Sequence, residues 1–357
     1  MKKICFFIGG MGLGGAERVI SILANSFADR GYDVSIVMLL NSNNVFYIDP
    51  RVKLVNINGR RKKRLLNLAF WIKKIKLFLR KEKPDIIVSF VCRINLIVII
   101  AKLLSRIKTR LVISERNDPR FDGRGVLSKV LSKILYPKAD LIICQTSMQM
   151  SFLSKRAKAK SIVISNPITL EVPIIDFSDK KRFIVNAARY DKSKNQLLLI
   201  KAFQRIVINK ETDGFTLHFY GSGPFKETLE KFIARNNLSK YIILHESVSN
   251  MQAIISEASI FCLSSNYEGM SNSLLEAALL GTPSISTDVN GARDIIFDGL
   301  NGFIVPVGNV DEMYNKLVTL IQSEGTRKKF YDYCISKEYR DHFFESLDAY
   351  IYNIEGV

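Results

Sequence analysis

Short, continuously apolar runs alternate along the chain with longer stretches in which apolar residues return every third or fourth position. The first kind suits strands buried on both faces, the second amphipathic helices. Strands are accordingly expected at Lys3–Ile8, Asp33–Leu40, Val52–Ile57, Asp85–Phe90, Arg110–Ser114, Asp140–Gln145 and Ser161–Ile164. A helix is expected over Ala16–Arg30, where Val19, Ile20, Leu23, Ala24 and Phe27 share a face and Gly31 ends the run. A long basic helix is expected over Leu65–Lys81. After the polar, proline-bearing stretch Asn166–Lys181 the alternation restarts. Strands Phe183–Ala187, Thr216–Tyr220, Tyr241–His245, Ile260–Leu263 and Ser284–Thr287 interleave with helices Gln196–Asn209, Phe225–Asn236, Met251–Glu257, Ser273–Leu280 and Asp311–Ser323. The pattern predicts an α/β protein of two doubly wound, Rossmann-like domains. Their boundaries read as 1–168 and 169–335, with a helix at 336–357 placed to pack back on the N-terminal domain.

With 357 residues and 47% hydrophobic content, the chain can bury two cores. Five scattered cysteines, none in a C-x-x-C, read as reduced thiols of a cytoplasmic protein. Three dispersed histidines argue against a histidine metal site. The opening Met1–Ile8 runs straight into Gly9-Gly10 and reads as a strand, not a signal peptide. The longest apolar run, Ile94 to Leu104, is interrupted by Asn95 and Lys102 and falls short of the roughly 20 residues a spanning helix needs. Charge is uneven. Residues 1–175 carry 32 Lys/Arg against 11 Asp/Glu, a balance of +21, whereas the remainder carries −3. That asymmetry calls for an anionic partner on the N-terminal half. Nucleic acid is disfavoured, because no nucleic-acid-binding module is visible.

The candidate chemistry lies at strand ends. Glu268-Gly269-Met270-Ser271-Asn272-Ser273-Leu274-Leu275-Glu276 places one carboxylate in the loop after an apolar strand and a second inside the next helix. A helix N-terminus between them can hold an anion. Ser273 and Glu276 also fit a capping box, with Ser273 as the N-cap. The first βα turn, Gly9-Gly10-Met11-Gly12-Leu13-Gly14-Gly15, lets backbone approach a phosphate. It matches the G-x-G-x-x-G fingerprint, but the second strand ends Leu40-Asn41-Ser42, without the acid that a nicotinamide dinucleotide site needs. Arg189 and Lys194 follow a strand end and could neutralise a diphosphate leaving group. The turn Tyr220-Gly221-Ser222-Gly223-Pro224 reads as mainly structural.

These motifs occur in one order: Gly14-Gly15-Ala16-Glu17-Arg18, Arg189 with Lys194, Tyr220–Pro224, and Glu268 with Glu276. Asn290-Gly291-Ala292-Arg293-Asp294 and Asp298–Phe303 complete the series. Together they resemble the GT-B, family 4 retaining glycosyltransferases of bacterial polysaccharide and lipid-linked oligosaccharide assembly. The resemblance implies two Rossmann-like domains facing each other across a cleft. It implies transfer of a hexose or N-acetylhexosamine from a UDP-sugar to a polyprenyl-diphosphate-linked saccharide, in O-antigen, capsule or related glycan synthesis. An epimerase or phosphorylase of the same fold, working without lipid acceptor, is the alternative. Carried over residue by residue, Glu276 would hold the ribose and Glu268 the transferred sugar. Met270, Ser271 and Asn272 would meet sugar or diphosphate through their amides. Arg189 and Lys194 would hold the diphosphate, Gly14 and Gly15 would approach the donor, and Val248 would lie near the base. Glu268, Arg189 and Lys194 are thus the catalytic candidates. Glu115 and Arg116 stand where relatives often carry a histidine, on the acceptor or sugar side. No D-x-D triplet occurs, so no metal or other cofactor is expected.

The basic run Arg60–Arg64 precedes a helix carrying Trp71, Lys73 and Lys74. Such a basic, aromatic helix suits an anionic membrane surface. Arg64, Trp71, Lys73 and Lys74 are the expected contacts of a protein peripheral to the inner face of the plasma membrane.

Overall fold

A computed structural model describes every residue except 13, 41–45, 58–63, 122 and 357. The basic run Arg60 to Lys63 therefore lies outside the described residues, as does the Arg64 side chain. The chain divides into two units, Met1–Thr169 with Phe343–Val357, and Leu170–His342.

The first unit holds strands β1 (Lys3–Ile8), β2 (Asp33–Met38), β3 (Lys53–Asn56), β4 (Ile86–Phe90), β5 (Arg110–Glu115), β6 (Leu141–Cys144) and β7 (Ser161–Val163). They form one parallel sheet in the order β3-β2-β1-β4-β5-β6-β7. Its helices are α1 (Gly15–Asp29), α2 (Arg64–Glu82), α3 (Cys92–Ser105), α4 (Val126–Leu135), α5 (Ser147–Ser151) and α6 (Lys155–Lys158). Strands β1 and β4 are apolar on both faces, so the sheet is covered twice. One face packs with α1 and with Tyr350, Ile351 and Ile354 from the chain's last helix; the other packs with residues of α2 and α3.

The second unit holds β8 (Lys181–Ala187), β9 (Thr216–Tyr220), β10 (Ile242–His245), β11 (Ala258–Leu263), β12 (Ser284–Thr287) and β13 (Gly302–Val305), parallel in the order β10-β9-β8-β11-β12-β13. Around them run α7 (Gln196–Ile208), α8 (Lys226–Arg235), α9 (Met251–Glu257), α10 (Asn272–Leu279), α11 (Ala292–Ile295), α12 (Val310–Gln322) and α13 (Glu324–Ile335). A final helix, α14 (Lys337–Glu355), belongs to the first unit from Phe343 onward.

Several elements were not among those expected, α13 and the short α5, α6 and α11 included. Strand β13 closes one edge of the second sheet and pairs with β12 from Ser284↔Gly302 to Thr287↔Val305, although four residues after a turn gave no strand signal. Helices α3 and α4 also appear where periodicity was ambiguous. The run Ile94 to Leu104 is a helix largely buried within the unit.

In each sheet the strand order reverses once, between β1 and β4 and between β8 and β11. Loops leaving the carboxyl ends of adjacent strands diverge at such a switch point, which makes it the ligand crevice of open α/β sheets. The sequence motifs map onto both.

Candidate active site

In the second unit the switch point is built from the loop after β8, carrying Arg189 to Asn195, and the loop after β11, carrying Ser264 to Ser271. Backbone and side-chain hydrogen bonds lace the two together. Asn266 N–H donates to the Ser193 carbonyl (2.7 Å), and Ser264 Oγ donates to the Lys194 carbonyl (2.8 Å). Asn195, in the left-handed conformation at φ 45°, donates to Asn266 Oδ1 (2.9 Å). Lys194 Nζ is held 2.6 Å from Glu268 Oε1, which also accepts from Ser265 Oγ at 2.6 Å. The sequence-predicted cation and carboxylate thus meet directly. Ser265 was not anticipated, and the only signal for it is its place at the end of an apolar strand.

Arg189 lies on the same loop but points outward, paired with Asp191 at 2.7 Å. Burial raises the pKa of the Asp191 carboxyl, and hydrogen bonds from Ser193 and Arg189 outweigh it, so the group ends below its ordinary value. The Gly221–Pro224 turn buttresses this loop. A side chain at Gly221 or Gly223 would strike the Ala188 or Tyr190 carbonyl, and Gly223 sits at φ 150°. The turn is structural, as its glycines suggested.

Helix α10 follows the β11 loop. Its N-cap is Ser271, whose Oγ accepts from Leu274 N–H at 3.3 Å. Ser273 therefore is not the cap. Glu276 falls in the second helical turn, too far on to answer a cap, so the capping-box reading of Ser273 and Glu276 is corrected. Glu276 is instead buried, 3% exposed, with Gln252 Nε2 3.5 Å from Oε1. Gln252 in turn accepts from Glu171 N–H at 2.8 Å. A carboxylate placed this deep without a capping duty is a strong acceptor for hydroxyl groups. Met270 and Ser271 are buried beside it, and Val248 is exposed on the loop after β10. Gly291 packs against the turn from the other side: at φ 80°, a Cβ there would lie 2.7 Å from the Gly269 carbonyl and 2.9 Å from Met270 Cα.

In the first unit the glycine turn leaves β1 at the other switch point and runs into α1, whose N-cap is Gly14. Gly9 and Gly12 have open space where a Cβ would stand, whereas one at Gly14 would collide with the Glu17 carboxylate. The Glu17 carboxylate is the mobile end of its side chain and Gly14 is extended at φ −152°, so Gly9, Gly12 and Gly14 alike have no strong reason within the fold to be glycine.

Glu115 and Arg116, at the end of β5, both turn inward. Glu115 pairs with Arg124 (3.0 Å) and accepts from the Tyr136 hydroxyl (2.9 Å). Arg116 donates to the Tyr350 hydroxyl (2.9 Å) and to Asn166 Oδ1 (2.8 Å), over the face of Phe90. Burial lowers the guanidinium pKa, opposed by Tyr350. Arg116 thus ties the end of β5 to the chain's last helix. In α2, Trp71 and Ile72 pack on the core while Lys73 and Lys74 are exposed.

Comparison with known proteins places this geometry. The family described as "Glycosyl transferases group 1" matches residues 168–337, and "Glycosyltransferase Family 4" matches residues 13–172. The chain belongs to the family 4 glycosyltransferases. Among its relatives is the N-acetylgalactosamine-N,N'-diacetylbacillosaminyl-diphospho-undecaprenol 4-alpha-N-acetylgalactosaminyltransferase of Campylobacter jejuni. It is 29% identical over 92% of this chain and 93% of the relative. A second Campylobacter jejuni enzyme is the GalNAc-alpha-(1->4)-GalNAc-alpha-(1->3)-diNAcBac-PP-undecaprenol alpha-1,4-N-acetyl-D-galactosaminyltransferase. It is 26% identical over 92% of this chain and 91% of its own. Among solved structures, Anabaena Alr3699/HepE in complex with UDP and glucose superposes with a TM-score of 0.82 at 16% identity, covering 100% of both chains. The fold is that of the GT-B glycosyltransferases. This family 4 member is a glycosyltransferase.

Proposed function

We propose that this glycosyltransferase moves a hexose or N-acetylhexosamine from a UDP-sugar to a saccharide carried on polyprenyl diphosphate, with retention of configuration and without a metal. The observation that carries the reading is the grouping at one switch point of Lys194, Glu268 and the buried Glu276 around the N-terminal turn of α10. A UDP-sugar has hydroxyls at both ends and a diphosphate between. Glu276 accepts from the ribose hydroxyls and Glu268 from the sugar. Lys194 and the amides at Met270 to Asn272 face the diphosphate, Arg189 reaches it by leaving Asp191, and Val248 lies beside the base. Gly14 and Gly15 offer backbone to a phosphate at the first unit's switch point. The relatives named above act on undecaprenyl-diphosphate saccharides, which supports the same class of acceptor here.

The cations and helix amides make metal unnecessary, because they stabilise the charge that develops on the departing diphosphate. The acceptor hydroxyl attacks the anomeric carbon on the face from which the diphosphate leaves. The new carbon–oxygen bond forms as the old one breaks, and the hydroxyl proton passes to a diphosphate oxygen. No protein base is required. Glu115 and Arg116, committed to internal partners, act on the acceptor side through the shape of the β5 end.

The test is UDP release from a donor panel with a polyprenyl-diphosphate saccharide, in the presence of a chelator. Glu276→Gln is expected to lower kcat/KM for the donor by about 10- to 100-fold, the range for a hydrogen bond to a charged group, while the protein stays folded. An unchanged rate would remove Glu276 from the site. Turnover without acceptor would point to an epimerase or phosphorylase instead.

A further inference from the structure

Helix α4 is unusual for a helix in a folded unit because none of its residues is buried. Val126, Leu127, Val130 and Ile134 are 80, 70, 48 and 58% exposed. At 3.6 residues per turn these four share an arc of about 100°. Leu131 and Leu135, next around the helix, pack against the core of the first unit. Lys129 and Lys133 flank the exposed arc on its far side. Going round the helix, then, the order is core-facing apolar, solvent-facing apolar, and cationic. An apolar row of this kind marks an interaction surface in a soluble protein.

Beside Ile134 lies a hollow of about 660 Å³, floored in part by Ile134 and Pro137. Four cations line it, Lys133, Lys138, Arg156 and Lys160, and no acid does. Lys160 is fixed by the carbonyls of Pro137 and Ala139, both at 3.0 Å. Among the described residues Lys129, Lys133, Lys138 and Arg156 take part in no ion pair. A site of this composition suits phosphate groups, presented next to a surface that will accept apolar side chains. The face of an anionic bilayer supplies both at once.

We infer that α4 and the basic hollow beside it form the membrane-docking surface of this protein. Val126, Leu127, Val130 and Ile134 enter the boundary between head groups and acyl chains, and the four cations bind lipid phosphates. This moves the principal contact away from α2, whose Trp71 and Ile72 are occupied by the core. A second copy of the chain is a poorer occupant. Two α4 faces brought together would oppose Lys129 and Lys133 to their own counterparts, and like charges so placed are repulsive. The inference does not depend on the donor, the acceptor or the Glu276 site, so its test measures binding without turnover.

The full chain is sedimented with phosphatidylglycerol-rich vesicles and with pure phosphatidylcholine vesicles. The wild type is expected to partition preferentially onto the anionic ones. Leu127→Ser with Ile134→Ser should reduce that partitioning at least roughly tenfold. Lys133→Gln, Lys138→Gln and Arg156→Gln should each reduce it roughly fivefold at low salt, the effect of one cation near an anionic surface, and by less at high salt. Lys73→Gln with Lys74→Gln on α2 should cost less than either set. The substituted residues are exposed, so melting temperatures are expected to stay near the wild type and provide the folding control. The inference is overturned if the wild type ignores anionic vesicles, or if the α4 variants bind as well as it does. It is equally overturned if those variants change only self-association in sedimentation velocity, which would put the face between copies.

Discussion

Lys180 directs its ammonium at the carbonyls of Ser256 (2.7 Å) and Ala258 (3.4 Å) and at the hydroxyl of Thr282 (3.1 Å), over the ring of Tyr331. Those acceptors favour the charged form, yet burial pushes the amine down to about 7 from its ordinary 10.5. The unfolded chain holds this proton up to its higher value, while the folded chain releases it earlier. Between about 7 and 10.5 the unfolded state therefore binds more protons, and stability climbs with pH. The slope can reach about 1.4 kcal/mol per pH unit. Lys180→Met should flatten that climb in urea titrations run across the window, and an unchanged slope would assign it to another group. Arg116 shows what local sequence leaves out. Its place after β5 suggested the acceptor or sugar side, whereas its partner Tyr350 is 234 residues away and invisible to local pattern.

Loops at the carboxyl ends of the strands are held by glycines for reasons that differ between the two units. Gly291 is required by both conformation and space, so Gly291→Ala must push back the Gly269–Met270 turn. The donor KM is expected to rise about tenfold and the melting temperature to fall, because a left-handed residue with a Cβ costs roughly 1–2 kcal/mol before any clash. Gly12→Ala provides the contrast. Nothing lies within 4 Å of the added carbon, so the melting temperature should not move. Any loss of activity would then report a ligand approaching that backbone, and full activity would deny it. Much of this architecture was legible beforehand. Helix α1 was placed within one residue at each end, and the strands bearing the site were found, because apolar runs and amphipathic periods there are unambiguous. Helix α3 was not, since a segment apolar on all sides carries no period. The N-cap of α10 was misjudged because Ser271 and Ser273 are equally good caps in sequence. The extended backbone of Ser271, at φ −79° and ψ 116°, selects between them.

Both units have one switch point in their sheet, but they are stabilised differently. The second unit is contiguous in the chain. The first borrows Tyr350, Ile351 and Ile354, each 2% exposed or less, from the opposite end of the sequence. Arg110 donates to the carbonyls of Asn353 and Ile354, and Tyr32 to Glu355. Each buried apolar side chain of this size contributes roughly 1.5–3 kcal/mol. Removing 343–357 should thus cost at least about 5 kcal/mol, comparable with the whole stability of a small domain. Limited proteolysis of the truncated chain is expected to degrade the first unit while sparing 170–342; equal resistance of both would contradict this accounting.

The same arrangement bears on synthesis. A ribosome releases the chain from its N-terminus, and domains generally fold as they emerge. Here the β1–β7 sheet is made with one face covered by α1 alone, and Tyr350 arrives only after the entire second unit has been made. The earliest part of the polypeptide is therefore the last to become complete. During translation the patch that the last helix covers stays open for the time needed to make the intervening residues, the interval in which a nascent chain most needs a chaperone.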